Sequence, residues 1–491
     1  MKAIATLAIL SLTAVVLHAQ TNAPATKPAA ASPPPAPPSA FEKFTRDMKK
    51  PAPYLTWGAD LRIRNEYLNN AITLTDAAVR HEQDVIRIRG RLWATATPVD
   101  GLSLNMRFSG EPREWMKPSF SSNYRNQQGQ VGKTGLEERY GIFDLLNAKW
   151  TNSWVSITGG RQDIMFGDFY DWWLVLDGTP GDGSWTFFLD SVRMSIDVSE
   201  MKTKFDIVAL YQNARPDEWL PTLGTSGPNP PSNPAGYGLT EQNEAGAIFY
   251  ASNKSLKNTQ IDGYFIYKGD CKEFANGDNA DIYTVGAKVT GTPSKHWQYS
   301  VEGAYQLGSK EDRIGTIAER DISAYGGKLK ATYLLKDKLN NQVSLIGEFL
   351  SGDDPDTTGK DEMFDILWGR WPRWSELYIY SYVMETSGKI AQLNNIGRIG
   401  PSWSMAPVKG MSLSVMYNAL FAPQDTPTRA MNRALFSRDG NFRGHYLQTV
   451  LKHTFNKHLN AHLWAEFVWE GDYYAQRDMM SFLRGEVYLT W

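Results

Sequence analysis

Arg87, Arg89 and Arg91 stand two residues apart in the run Val85 to Ala96, and Arg62 and Arg64 repeat the spacing upstream. Side chains two apart share one face of a β-strand. Each run therefore lays a row of guanidinium groups along one wall. A guanidinium grips a carboxylate or phosphate through two parallel hydrogen bonds, and a ring of them passes anions through a pore. Like charges this close repel unless acids or anions sit between them. Two readings stand side by side: a cationic path for carboxylates, and ion pairs that stiffen a wall. Many weak contacts suit a polymer better than one deep site.

Alternation counted along the chain places Arg62, Arg64, Arg87, Arg89, Arg91, Arg107, Arg161, Arg193, Arg398 and Arg484 on the polar face, with Lys288, Lys328 and Lys330. Asp60, Glu66, Asp163, Asp197, Asp262, Glu302, Glu348, Glu466 and Glu486 share that face. Counting from the turns puts Arg62, Arg64, Arg89, Arg91 and Arg107 at similar height.

Long strands must position such rows. From Tyr54 to Trp491 the dominant period is two. Leu102, Leu104, Met106 and Phe108 oppose Ser103, Asn105, Arg107 and Ser109; Leu483, Gly485, Val487 and Leu489 oppose Arg484, Glu486, Tyr488 and Thr490. Connections alternate in length. Short ones fall near 98–101, 152–154, 200–203, 255–257, 292–296, 336–340, 407–410 and 456–458. Long ones fall near 71–83, 116–138, 169–189, 216–243, 271–280, 310–320, 353–395, 423–443 and 471–481. The rhythm predicts an all-β fold: an antiparallel transmembrane β-barrel of about 18 strands, with short periplasmic turns and long extracellular loops. A soluble sandwich or β-helix explains the alternation but not the rhythm. Residues 377–386 could make an extra strand; the count would then be odd, so they fall in a long loop. A barrel this wide leaves an aqueous channel. Trp57, Trp115, Trp150, Trp154, Trp297 and Trp469, near strand ends, fit interfacial girdles.

The balance of the chain agrees. It has 491 residues, 61 aromatics and 41 glycines, with a formal net charge of −2. That charge argues against a nucleic-acid partner. The single cysteine, Cys271, excludes an internal disulfide and a Cys-based metal cluster. Met1-Lys2 and the apolar stretch Ala3 to Leu17 read as a signal peptide ending at Ala19. Residues 20–53 read as a Pro/Ala-rich periplasmic spacer, with a short helix from Phe41 to Lys50. The barrel occupies 54–491. No nucleophile elbow or phosphate loop is present, and no cofactor is expected. Asp353, Asp354 and Asp356 could bind Ca²⁺ in an extracellular loop, although their spacing is not that of an EF-hand and a solvated acidic loop explains them better. His458 and His462 have the spacing of a zinc helix but sit at a turn and on a strand.

Gly160-Arg161-Gln162, then Gly167-Asp168, Trp172-Trp173, Trp185 and Asp190 ahead of Val192-Arg193-Met194, resemble the alginate-export family of outer-membrane barrels. Ser351-Gly352-Asp353-Asp354-Pro355-Asp356, with Phe364-Asp365 downstream, and the Arg/Glu-bearing final strand resemble it too. The resemblance runs over residues 54 to 491. It implies an 18-stranded barrel conducting a polyuronate outward through a cationic constriction, with Arg161, Asp163 and Arg193 lining the pore. Alternation adds a local expectation: a β-bulge at Gly159-Gly160, past which Asp163 holds Arg161. No insertion on the short-turn side is evident to serve as a plug.

The expected function is passive passage of an anionic polysaccharide. The pore-lining candidates are Arg62, Arg64, Arg87, Arg89, Arg91, Arg107, Arg161, Asp163, Arg193, Arg398, Arg484 and Glu486. A general or carbohydrate-uptake porin is the alternative, and an outer-membrane enzyme the third. Expected partners are the polymer, outer-membrane lipid, the barrel-assembly machinery acting on the C-terminal strand, and periplasmic export proteins.

Overall fold

The computed structural model describes residues 40–78, 81–117, 135–137, 141–164, 166, 188–214, 240–274, 277–311, 319–369, 374–386, 393–427, 430 and 432–491. The expected signal peptide, the proline tract, Gly167-Asp168, Trp172-Trp173 and Trp185 lie outside them. The chain divides into Met1–Met48 and Lys49–Trp491. In the first unit a helix, α1, starts at Ala40 and runs to Lys49.

The second unit is a closed sheet. Its long strands begin with β1 (Leu55–Asn69), β2 (Glu82–Val99), β3 (Leu102–Gly110), β4 (Gly141–Thr151), β5 (Val155–Gln162) and β6 (Leu189–Val198). Next come β7 (Thr203–Gln212), β8 (Gln242–Asn253), β9 (Thr259–Lys272), β10 (Ala280–Gly291), β11 (Trp297–Glu311) and β12 (Glu319–Leu334). The circuit ends with β13 (Gln342–Leu350), β14 (Ile396–Met405), β15 (Met411–Phe421), β16 (Phe442–Asn456), β17 (Leu459–Glu470) and β18 (Met480–Thr490). Each pairs antiparallel with the next, and β18 closes on β1 from Asp60↔Thr490 to Asn69↔Ser481. These eighteen strands and their turn rhythm match the reading of the sequence. Three short segments, Arg113–Lys117, Gly135–Glu137 and Lys360–Asp361, add to the sheet beyond that circuit.

Burial is inverted relative to a water-soluble protein. Arg62 and Arg64 are each 1% exposed, whereas Leu61 and Ile63 beside them are 39% and 43% exposed. The polar parity faces the lumen and the apolar parity faces outward. No described helix is long and apolar enough to cross a membrane. In a bilayer every backbone group must pair internally, and the closed ladder does this for the strands. Trp150, Trp154, Trp297 and Trp469 are exposed near strand ends, and Trp57 stacks on Trp491 across the seam at 6.3 Å. Trp115 differs. It pairs with inward-facing Val85 and is buried in the lumen.

The interior is not an empty tube. The described residues between 351 and 395 fold inward from the long-loop end, as their partners reveal. Asp365 receives Lys268 Nζ at 3.2 Å from β9, and its amide donates to Gln306 of β11 at 2.8 Å. Residues Leu377–Glu385, expected as irregular loop, form a helix, α2. Its buried positions Leu377, Tyr378, Ser381, Tyr382 and Glu385 follow a helical period, which overrides the alternating look of the tyrosines. Glu466 of β17 caps its start, accepting the amides of Glu376 at 2.8 Å and Leu377 at 3.0 Å. At the other end Arg443 of β16 grips Glu385 with two bonds of 2.6 and 2.8 Å. Phe364, Ile366, Trp368, Trp374 and Tyr378 pack an apolar core inside the barrel with Tyr250, Tyr264, Ile282 and Tyr446. Each side chain so buried contributes about 1.5–3 kcal/mol. Gly246 permits the closest approach: a Cβ there would lie 2.4 Å from the Trp368 ring.

The bulge expected at Gly159-Gly160 is absent. Register runs unbroken from Leu146↔Arg161 to Thr151↔Ser156. Gly160 instead takes φ +117, where a Cβ would meet the Leu146 carbonyl at 2.5 Å. Ile164 and Phe166 lie past the strand end at Gln162, so their parity says nothing about the strand.

Outward Val285, in the middle of β10, sets a test. Val285→Arg should cost about 2–4 kcal/mol in urea unfolding from lipid vesicles, and Val408→Arg, at a short turn, about 0–1 kcal/mol.

Candidate functional site

The predicted site residues separate into two groups. The first is a buried charge network on β1, β2 and β18. Register sets its rungs: Arg62 faces Arg89, Arg64 faces Arg87 and Asp60 faces Arg91. The arginines expected at one height thus form a ladder. Acids stand between them. Glu66 accepts from Arg64 at 3.2 Å, from Arg87 at 3.0 Å, from Arg484 at 2.6 Å and from the Tyr380 hydroxyl of α2 at 3.2 Å. Glu111, which parity counting missed because it follows the end of β3, accepts from Arg62 at 2.7 Å, Arg87 at 2.8 Å and Arg113 at 3.1 Å. Glu486 receives Arg64 Nε at 2.7 Å. Arg484 also reaches Glu376, so the network ties the inward loop to the wall. Arg89 lies 3.8 Å from Asp60. Burying so many ions is costly, so removing any one partner leaves an uncompensated charge.

Arg398 stands elsewhere, buried on β14 against Glu348 and over the Trp374 ring at 4.7 Å. Arg161 does not pair with Asp163 as expected. Asp190 takes it in a two-bonded pair of 2.8 and 3.0 Å, and Phe188 lies 3.9 Å beneath its guanidinium. It is fully buried, on the parity opposite to Thr158 and Gln162.

The second group lines a cavity of about 830 Å³ at the short-turn end. Arg91, Arg107, Asp163 and Arg193 converge there from four segments of the wall. Lys149, Lys204, Trp93 and Asn147, not singled out from the sequence, also line it, with Asn105 and Tyr488 of the polar face. Their signal was available in the inward parity of β4, β7 and β18. Wall carboxylates fix the guanidinium groups. Arg91 donates to Asp60 at 2.7 Å and to the Tyr488 hydroxyl at 3.0 Å. Arg107 donates to Asp144 at 2.7 Å and to Asp163 at 3.1 Å. Arg193 donates to Asp206 at 2.9 Å. Five cations against three acids, Asp60, Asp163 and Asp197, line the space. A second cavity at this end, about 500 Å³, is walled by neutral amides and hydroxyls such as Gln260, Thr290, Gln298 and Thr332, with Lys254 and Lys330.

The three aspartates considered for Ca²⁺ do not converge. Asp353 is bound to Arg320 through bonds of 2.8 and 3.2 Å, and Asp354 accepts the Asp356 amide at 2.9 Å. Burial, reinforced by neighbouring Asp361, pushes the Asp353 carboxyl up to about 6. Among the described residues no group of three His, Cys, Asp or Glu is set to hold a metal.

With this geometry in place, the family model described as alginate export matches residues 238–482. That region is similar to the alginate-export family. That span contains the Ser351–Asp356 run, Phe364-Asp365 and the inward loop. Solved structures extend the likeness around the barrel. OccAB1 of Acinetobacter baumannii superposes with a TM-score of 0.55 at 10% identity, covering 89% of this chain and 96% of that one. A BenF-like porin from Pseudomonas fluorescens Pf-5 gives 0.52 at 10% identity, over 88% and 98%. OccK2 (OpdF) of Pseudomonas aeruginosa, solved in complex with glucuronate, gives 0.51 at 10% identity, over 88% and 97%. No curated protein matches the chain. This closed barrel is a bacterial outer-membrane channel with a region similar to alginate-export proteins.

Glu66 is the most connected acid of its network. Glu66→Gln leaves three buried guanidinium groups short of their shared counter-charge. Denaturant unfolding should show a loss of about 3–5 kcal/mol.

Proposed function

We propose that the channel passes an anionic, uronate-type polysaccharide by diffusion, and that the short-turn cavity is where the polymer first meets the protein. One observation carries the reading: Arg91, Arg107 and Arg193 line a single wide cavity, each oriented by a wall carboxylate. A cation so held offers a weak, repeatable contact to a passing carboxylate. Weak contacts allow release, and transport needs release. Trp93 and Tyr488 give flat apolar faces to a sugar ring. The neutral amides and hydroxyls of the second cavity suit sugar hydroxyls. The family match adds the polymer class.

The buried set Arg62, Arg64, Arg87, Arg89, Arg161, Arg398 and Arg484 has a different role in this reading. These side chains stiffen the wall and hold the inward loop, while Arg91, Arg107, Asp163, Arg193 and Glu486 remain at or beside the lumen. In this reading the protein acts as a conduit, its cavity gathering cations and aromatic faces. Tyr380–Glu66 and Glu376–Arg484 make the inward loop the element that meters passage.

Planar-bilayer recording tests this. The pore should favour anions and be blocked by oligouronates. Arg107→Ala with Arg193→Ala should weaken block roughly tenfold or more, two charged contacts being removed. Cation selectivity, or block unchanged in the double variant, overturns the reading.

A further inference from the structure

We propose that three adjacent short turns form a binding arc for anionic phospholipid headgroups. The turns are 335–341, 406–410 and 457–458, between β12 and β17. They carry Lys336, Lys338, Lys409 and Lys457, all exposed. Large apolar side chains stand among the lysines: Leu335 and Leu339 in the first turn, Val408 in the second, and Phe455 beside the third. They too are exposed, Phe455 by 57%.

The arc is continuous. The Ala406 amide donates to the Leu339 carbonyl at 2.7 Å, joining the first turn to the second. The Thr454 amide donates to the Gly410 carbonyl at 2.7 Å, joining the second to the third. Asp337 is the acid among these turns, and it serves the turn itself. Its carboxylate accepts the Leu339 amide at 3.1 Å, the Asn341 amide at 3.0 Å and the Asn341 side-chain amide at 2.6 Å. The four ammonium groups therefore face little opposing charge along the arc. Lysines also stand in the turns near 200–203, 255–257 and 292–296, whereas turns 100–101 and 152–154 carry none.

Charge and apolar area together select the partner. The outward face runs into this rim through exposed Leu329, Val343 and Leu345. Its neighbour across the rim is the lipid headgroup layer. There the acyl boundary takes Leu335, Leu339, Val408 and Phe455, while lysine stems extend so that the ammonium meets phosphate. A hydrated polysaccharide would satisfy the lysines but leave those four apolar side chains in water. Short turns of outer-membrane barrels face the periplasm, so the headgroups belong to the periplasmic leaflet. A lysine near an anionic lipid surface favours association by about fivefold.

The full-length protein, reconstituted into vesicles of equal parts phosphatidylcholine and phosphatidylglycerol, provides the test. Lipids retained after mild extraction are counted by native mass spectrometry. Phosphatidylglycerol should be enriched about fivefold or more, less at high salt. The variant Lys336→Gln, Lys338→Gln, Lys409→Gln, Lys457→Gln should lose most of that enrichment. The variant Lys272→Gln, Lys360→Gln, at the other end of the barrel, should keep it. Equal retention of the two lipids overturns the proposal, and so does undiminished enrichment in the four-lysine variant. If that variant keeps its lipid but loses oligouronate block, the arc serves the polymer and the lipid assignment is wrong.

Discussion

The pairing of β18 with β1 is the constraint on which the rest of the molecule depends. Ten residues of each strand face one another from Asp60↔Thr490 to Asn69↔Ser481. With that seam closed, no sheet edge is left for lipid to meet. Closure also divides the side chains. One parity meets hydrocarbon and must be apolar; the other is enclosed and can be charged. Leu61 and Ile63 lie on the first side, Arg62 and Arg64 on the second. Charge inside the wall then needs partners, and the acids at Glu66, Glu111 and Glu486 supply them.

From that pairing comes a division of labour along the barrel axis. Toward the long-loop end the lumen is occupied by the described residues between 351 and 395, held by a capped helix and an apolar core. At mid-height the Glu66 and Glu111 network joins wall to loop. Toward the short turns the interior opens into polar cavities. The cations Arg64, Arg87 and Arg484, deep in the network, are each held by two acids. Those at the open end are oriented but line water. The same residue type thus serves stiffness in one place and encounter in the other, and burial decides which.

Alternation made the wall legible from the sequence. Period two is a local property, so Arg87, Arg89 and Arg91 announced their shared face without any knowledge of the fold. The turn rhythm was equally local, since Pro98-Val99-Asp100-Gly101 and its counterparts punctuate the strands. The inward loop was not legible, because its partners are remote. Tyr380 meets Glu66 across 314 residues and Glu376 meets Arg484 across 108. No pattern within the loop points to them. The partner of Arg161 was misread for a similar reason. Asp163 is near in sequence, but register places Asp190 directly opposite. The split between network and cavity was also out of reach, since parity tells which face a side chain takes and not how deeply its neighbours cover it.

Site-directed thiol labelling measures the central claim most directly. In a Cys271→Ser background, single cysteines replace Thr158 and Ser195 in the cavity and Val285 on the outer wall. A membrane-impermeant maleimide added at the short-turn side of proteoliposomes should label both cavity positions, more slowly when oligouronate is present, and leave the Val285 position unmodified. Labelling at Val285 with none at Thr158 and Ser195 would place water outside the wall and contradict the account.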